Sequence, residues 1–206
     1  MIRTAPVVLV LVALVLAAPL AGAAVPSPQN STVESCLRVC PAGDLHIRVV
    51  VRDFANNPIA ASTVQLDLCS CPFITLCPQQ AGDPYQIVNS CQVLMITDAA
   101  GVAEIPLRAG GVCVGTVNVL ADGVNLASRG FVASPDQNGD VIVNATDQAI
   151  LAAKLGGPYD PTGDLNCSGA LEAGDPFVQA GHLGHSCQMV VPTLPKSWGT
   201  LKTIYR

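Results

Sequence analysis

From Leu45 onward the chain alternates between apolar and polar positions. In LHIRVVVR (45–52), Leu45, Ile47, Val49 and Val51 fall on one side while His46, Arg48 and Arg52 fall mostly on the other, the two-residue period of a strand with one buried face. The turn-forming ANNPIAAS follows, and TVQLDL (63–68) resumes the alternation with Val64, Leu66 and Leu68 inward. The stretch 69–85 is too rich in cysteine and proline for regular structure. Beyond it CQVLMIT (91–97), VAEIPLR (102–108), VCVGTVNVL (112–120) and VNLASRGFVA (124–133) succeed one another across the turns DAAG, AGG and ADG. Short strands at this spacing, separated by Gly and Asp turns, predict a small antiparallel β-sandwich, and no helical period competes with it.

The pattern changes at Ser134. Two polar loops each run into helix-like text: QAILAAKLG after Asp147, with Ile150, Leu151 and Leu155 on one face, and PFVQAGHLGHS after Asp175, with Phe177, Val178 and Leu183 on one face. Each loop is therefore expected to feed a short amphipathic helix. The predicted fold is mainly β with a small α module appended.

The start of the chain changes the expected compartment. Arg3, an apolar run from Val7 to Ala18 and small residues at Ala21 and Ala23 form the pattern of a secretory signal over 1–24, and the run is shorter than the ~18 residues a membrane span needs. The mature protein is expected outside the cytoplasm, secreted or at the cell surface, with no membrane segment after cleavage. The divisions are then a 25–41 N-terminal segment, a 42–133 sandwich, a 134–187 loop-and-helix module and a 188–206 tail. The tail carries Lys196, Lys202 and Arg206 without an acidic residue and is expected to be disordered. Net charge is −5 and no basic cluster stands out, so nucleic acid is not an expected partner.

Nine cysteines in an exported chain point to disulfides with one cysteine left over. Cys167 and Cys187 stand apart from the other seven and are expected to bridge locally. Zinc is disfavoured at CSCPFITLC (69–77), because one residue separates Cys69 from Cys71 where knuckles use two to four. His182 and His185, three apart with Cys187 beyond, could ligate a transition metal, but a disulfide at Cys187 and two exposed histidines explain the same letters.

The most specific chemistry lies in DQNGDVIVNATD (136–147). Asp136, Asn138, Asp140, Asn144 and Asp147 occupy positions one, three, five, nine and twelve, from which an EF-hand type loop aims side-chain oxygens at calcium, with the Ile142 carbonyl at position seven. A polar turn can arise from Asp and Asn alone, but the chain repeats itself. At an offset of 28 residues, DLNCSGALEAGD (164–175) supplies Asp164, Asn166, Ser168, the Ala170 carbonyl, Glu172 (through water) and Asp175, with Gly169 at position six. Two calcium ions are the expected cofactors. In the first loop Val141 stands where the turn calls for glycine, a strain that Gly139 is expected to relieve. Ser168 replaces a carboxylate, so the second loop is expected to bind more weakly.

Two resemblances follow from these residues. The NPIAASTVQLDL and TDAAGVAEIPLR segments resemble the immunoglobulin-like domains of bacterial surface and secreted proteins over residues 42–133. The tandem twelve-residue loops ending in Asp, each followed by one helix, resemble a dockerin module over 134–187. That resemblance implies two antiparallel helices, calcium in both loops and a cohesin-like scaffold partner gripped by the helix faces. The chain departs from the family at loop positions ten and eleven, which read partners, being Ala145 with Thr146 and Ala173 with Gly174. A filament or surface-layer subunit contacting copies of itself is the alternative. No nucleophile elbow, zinc-protease helix or phosphate-binding glycine loop is present, so the expected protein is not an enzyme.

Overall fold

A computed structural model describes residues 24–188; the signal-like start and the tail from 189 lie outside the described residues. The described residues are mainly β with two short helices. Eleven strands run in order as β1 (Thr32–Val33), β2 (Leu37–Arg38), β3 (Ile47–Val50), β4 (Thr63–Asp67), β5 (Thr75–Leu76), β6 (Gln86–Asn89), β7 (Gln92–Ile96), β8 (Val102–Ile105), β9 (Ala109–Gly110), β10 (Cys113–Ala121) and β11 (Val124–Ala133). Helices α1 (Ala145–Lys154) and α2 (Gly174–Ala180) follow.

The strands form a six-stranded sheet in the order β2-β11-β10-β4-β7-β6, a three-stranded sheet β1-β3-β8 and the pair β5-β9. Alternation decides what is buried. Ile47 and Val49 from β3, Val64 and Leu66 from β4, Val93 from β7, Ala103 and Ile105 from β8, and Val117 and Val119 from β10 meet in one core spanning both larger sheets. Arg48, between Ile47 and Val49, faces out and pairs with Glu104 across β3-β8. Each fully buried aliphatic side chain contributes about 1.5–3 kcal/mol, so this core is the main source of stability.

Three features depart from the expected sheet. The 25–41 segment is part of it: β1 pairs antiparallel with β3, and β2 runs parallel to β11 through Leu37↔Val132 and Arg38↔Ala133. The antiparallel expectation therefore fails at that edge, where a two-residue strand needs no hairpin to reach its neighbour. The AGG segment, read as a turn, instead contributes β9, which pairs with β5 inside the stretch expected to be irregular.

The helices also differ from their expected faces. On α1, Leu151 is buried, while Leu155 ends the helix in an extended conformation. On α2, Phe177 is 82% exposed and Leu183 lies beyond the helix, also exposed; the inward positions are Asp175 and Gln179, with Val178 half-buried. Gln179 turns in because its Nε2 donates to the Pro135 carbonyl at 2.8 Å. A seven-residue helix has too few positions to complete a continuous apolar stripe.

Among the described residues, the buried apolar cluster of the C-terminal region is Leu151 and Leu165 with Ala133 of β11, packed by Leu171 and Val178, and Val143 is buried besides. So few apolar groups cannot offset the chain entropy of a segment that long. Covalent ties supply part of the remainder. Cys36–Cys167 and Cys77–Cys187 join the helical region to the β-rich part across 131 and 110 residues, while Cys69–Cys91 and Cys71–Cys113 lie within the latter. The expected local Cys167–Cys187 bridge is thus overturned, because the C-terminal region lies against the sheets and offers each cysteine a partner there. Cys40 is the odd thiol, and it is buried.

Candidate metal centre

The two loops share a backbone pattern at the 28-residue offset. In each, the aspartate at position twelve accepts backbone N–H bonds from positions two, three and nine. Asp147 Oδ1 receives Gln137 at 2.8 Å and Asn138 at 3.2 Å, and its Oδ2 receives Asn144 at 2.8 Å. Asp175 receives Leu165 at 2.8 Å, Asn166 at 3.2 Å and Glu172 at 2.9 Å in the same pattern. Position six donates to the aspartate at position one in both: Val141 to Asp136 and Gly169 to Asp164, each at 2.8 Å.

The backbone explains why glycine and strain appear where they do. Positions four and six adopt left-handed angles in both loops: Gly139 (φ 75°) and Val141 (φ 61°) in the first, Cys167 (φ 59°) and Gly169 (φ 83°) in the second. Each loop has glycine at one of these positions and a side chain at the other. Gly139 therefore does not relieve Val141, contrary to expectation; the turn demands both angles, and a β-branched residue there is a genuine outlier. Such strain persists only where surrounding bonds over-determine it, and the Val141 N–H to Asp136 bond is one of them.

In the first loop one oxygen from each of Asp136, Asp140 and Asp147 lies within 4.8 Å of the others. Asp136 and Asp147 are fully buried, whereas Asp140 is exposed. Burial, with the nearby Asp147 and Asp140 charges, pushes the Asp136 carboxyl up to about 6, against N–H bonds from Gly139 and Val141 that pull it down. Three carboxylates so close raise one another's cost of ionisation unless a cation sits between them. Asn138 bridges the ring, donating to Asp140 Oδ2 at 2.9 Å and accepting from Asp140 N–H at 3.0 Å. Asn144 accepts from Thr146 N–H at 2.7 Å as the α1 cap and donates to the Ile142 carbonyl at 3.2 Å.

The second loop carries as many carboxylates, Asp164, Glu172 and Asp175, but does not bring all three together. Ser168 donates to the Ala170 carbonyl at 3.2 Å, Asn166 donates to Glu172 at 3.2 Å, and the exposed Tyr159 hydroxyl donates to Asp164 Oδ2 at 2.9 Å. Asp164 and Asp175 are buried, as their counterparts are. Six nominated groups thus line each loop, but only the first gathers three carboxylates.

A seat for the first loop was not legible in the sequence. A Cβ on Gly110 would come within 2.0 Å of Asp136 Oδ2, and one on Gly111 within 2.1 Å of the Phe73 carbonyl and 3.2 Å of Gly139 Cα. The missing side chains let the loop lie directly on β9, with Gly111 N–H donating to the Asp136 carbonyl at 3.1 Å. The consecutive glycines were the available signal. Lys154 joins the loops from α1, donating to Gln137 Oε1 and Thr162 Oγ1 at 2.7 Å each and pairing with Asp160 at 3.0 Å.

His182 and His185 do not join Cys187, which is bonded to Cys77. Nor are they exposed as expected: their side chains keep 12% and 18% of their accessibility and face Asp44.

Four disulfides fit a chain that folds in an oxidising, extracytoplasmic compartment. No helix among the described residues is long and apolar enough to cross a membrane. No family model matches the chain, and no curated protein does. A solved structure of invasin, a bacterial integrin-binding protein, is similar over 58% of this chain and 21% of that one, at 18% identity and a TM-score of 0.29. The chain thus spans about a fifth of that protein, and a likeness this slight carries no inference about what either binds.

Proposed function

We propose that this is an exported, non-catalytic attachment protein in which residues 134–187 form a dockerin-like module loaded with two calcium ions and fused to an immunoglobulin-like β-sandwich. The observation that carries the reading is the duplicated loop: the same left-handed positions and the same hydrogen bonds recur 28 residues apart, around buried aspartates at positions one and twelve. Loops built to turn oxygens inward twice, in a region with a meagre core, are what a hard cation would complete. Oxygen ligands with carboxylate charge suit calcium over softer metals.

Calcium would add to stability by binding the folded state alone, by about 2.7 kcal/mol at a hundredfold excess over the dissociation constant. The exposed Phe177 on α2, beside loop position eleven at Gly174, is the kind of aromatic that anchors a protein partner, here a scaffold of cohesin type. Calorimetric titration of the full chain with calcium tests the reading. Two sites are expected, the first loop's lost in Asp136→Ala and the second's in Asp164→Ala; no heat of uptake and an unchanged melting profile in chelator would end it.

A further inference from the structure

Outside the two loops, the chain's unpaired cysteine and two of its three histidines converge with an aspartate. Cys40 and Asp44 lie on the connection between β2 and β3, and His182 and His185 follow α2. One ligand atom from each lies within 4.8 Å of all the others. Both imidazoles present Nδ1 to the centre, 3.3 Å apart. Cys40 Sγ stands 3.8 Å from His182 Nδ1 and 3.6 Å from His185 Nδ1; Asp44 Oδ2 stands 2.8 Å and 3.3 Å from the same two atoms.

Those separations can be compared with the edges of a tetrahedral coordination shell. Bonds of about 2.0–2.1 Å to nitrogen, about 2.3 Å to sulfur and about 2.0–2.2 Å to oxygen place tetrahedral ligands about 3.4 Å apart for N···N, about 3.6 Å for S···N and about 3.4 Å for N···O. Four of the five observed edges agree within about 0.2 Å, and only the 2.8 Å Asp44–His182 contact is short. We propose that Cys40, Asp44, His182 and His185 bind a single zinc-class divalent ion that clamps the C-terminal segment to the β-rich part.

The donor set selects the metal class. A thiolate with two imidazoles favours zinc and its neighbours over calcium or magnesium, which take oxygen. Four protein ligands leave no open position, so the ion is structural. Backbone bonds hold the ligands in place beforehand. The Cys40 carbonyl accepts from Gly43 and Ala109, and the 182–185 segment is stitched to the first loop by Val143 N–H to the His185 carbonyl at 2.9 Å and Gly184 N–H to the Val143 carbonyl at 2.8 Å. Asp44 Oδ1 is buried without a hydrogen-bond partner, as a polar cluster closed by hydrogen bonds alone would not leave it. Metal ligation also accounts for a thiol kept out of the four disulfides.

The test uses the full exported chain, with metal content measured by mass spectrometry after dialysis and then after replacement by cobalt(II). One zinc per chain is expected, along with a cobalt spectrum showing thiolate charge transfer and the strong visible bands of a tetrahedral site. Cys40→Ser should abolish the charge-transfer band, and His185→Gln should lower zinc affinity at least about tenfold, as loss of a ligand would. Asp164→Ala, which disables the second calcium loop, should leave both signals intact, so that failure of the calcium reading and failure of this one are distinguishable. A wild-type chain with a titratable Cys40 thiol that retains no zinc and gives no sulfur-to-cobalt band would overturn the proposal, whether or not the variants fold.

Discussion

The two twelve-residue loops share a backbone and differ in what holds it. The first rests on two glycines of the sheet, keeps three carboxylates together and caps a ten-residue helix with Asn144 and Asp147. The second has Ser168 in place of the middle carboxylate, opens a seven-residue helix with no side-chain cap, and is tied instead by Cys36–Cys167 and by Arg38, which donates to the Leu165 carbonyl at 2.9 Å. One loop is positioned by close packing and the other by covalent attachment. The same hydrogen-bonded turn can therefore be kept by different means, and the loops' sensitivities to mutation should diverge accordingly.

The largest effect is expected from the double variant Cys36→Ser with Cys167→Ser. Opening a cross-link across 131 residues should cost about 5 kcal/mol by chain entropy. Denaturant unfolding should show that loss, with calcium uptake impaired at the second loop more than at the first. Next is Gly110→Val, which drives a side chain into the Asp136 carboxylate. It should destabilise by about 1–3 kcal/mol, the usual range for overpacking, and should affect the first loop alone in a calcium titration; a variant with both sites intact would show that the seat does not matter.

Ser168→Asp sharpens the comparison from the other side. Restoring a carboxylate at position five should tighten the second site about tenfold, or about 1.4 kcal/mol, and bring the two calorimetric transitions together. The smallest effect is expected from Val141→Gly. Releasing a left-handed β-branched residue should return about 1–2 kcal/mol, of which glycine's extra backbone freedom takes back about 0.5–1 kcal/mol. A slight rise in melting temperature without calcium would be the sign.

The strands were legible wherever one face is buried. Val64, Leu66 and Leu68 are inward as their alternation requires, and β11 spans the residues its pattern marks. What failed was short or polar. β1, β2 and β9 have two residues each, too few to display a period; β1 and β2 lie against the longer β3 and β11, and β9 against the equally short β5. Phe177 looked like core because its letter is apolar, yet Gln179 took the inward place through a hydrogen bond no pattern reveals. The duplication of the loops could be read because their turn chemistry is local, whereas the glycine seat beneath the first comes from another part of the chain.

Sequence alone determined the features set within a few residues: alternating strands, the duplicated loops and the surplus of one cysteine, since backbone periodicity and turn chemistry act over that range. Tertiary structure alone decided which cysteines pair, that Cys40 meets His182 and His185 across more than 140 residues, and that the helical region is fastened to the sheets. Those contacts depend on how separate surfaces dock, and docking is set by the summed packing of the whole chain rather than by any segment within it.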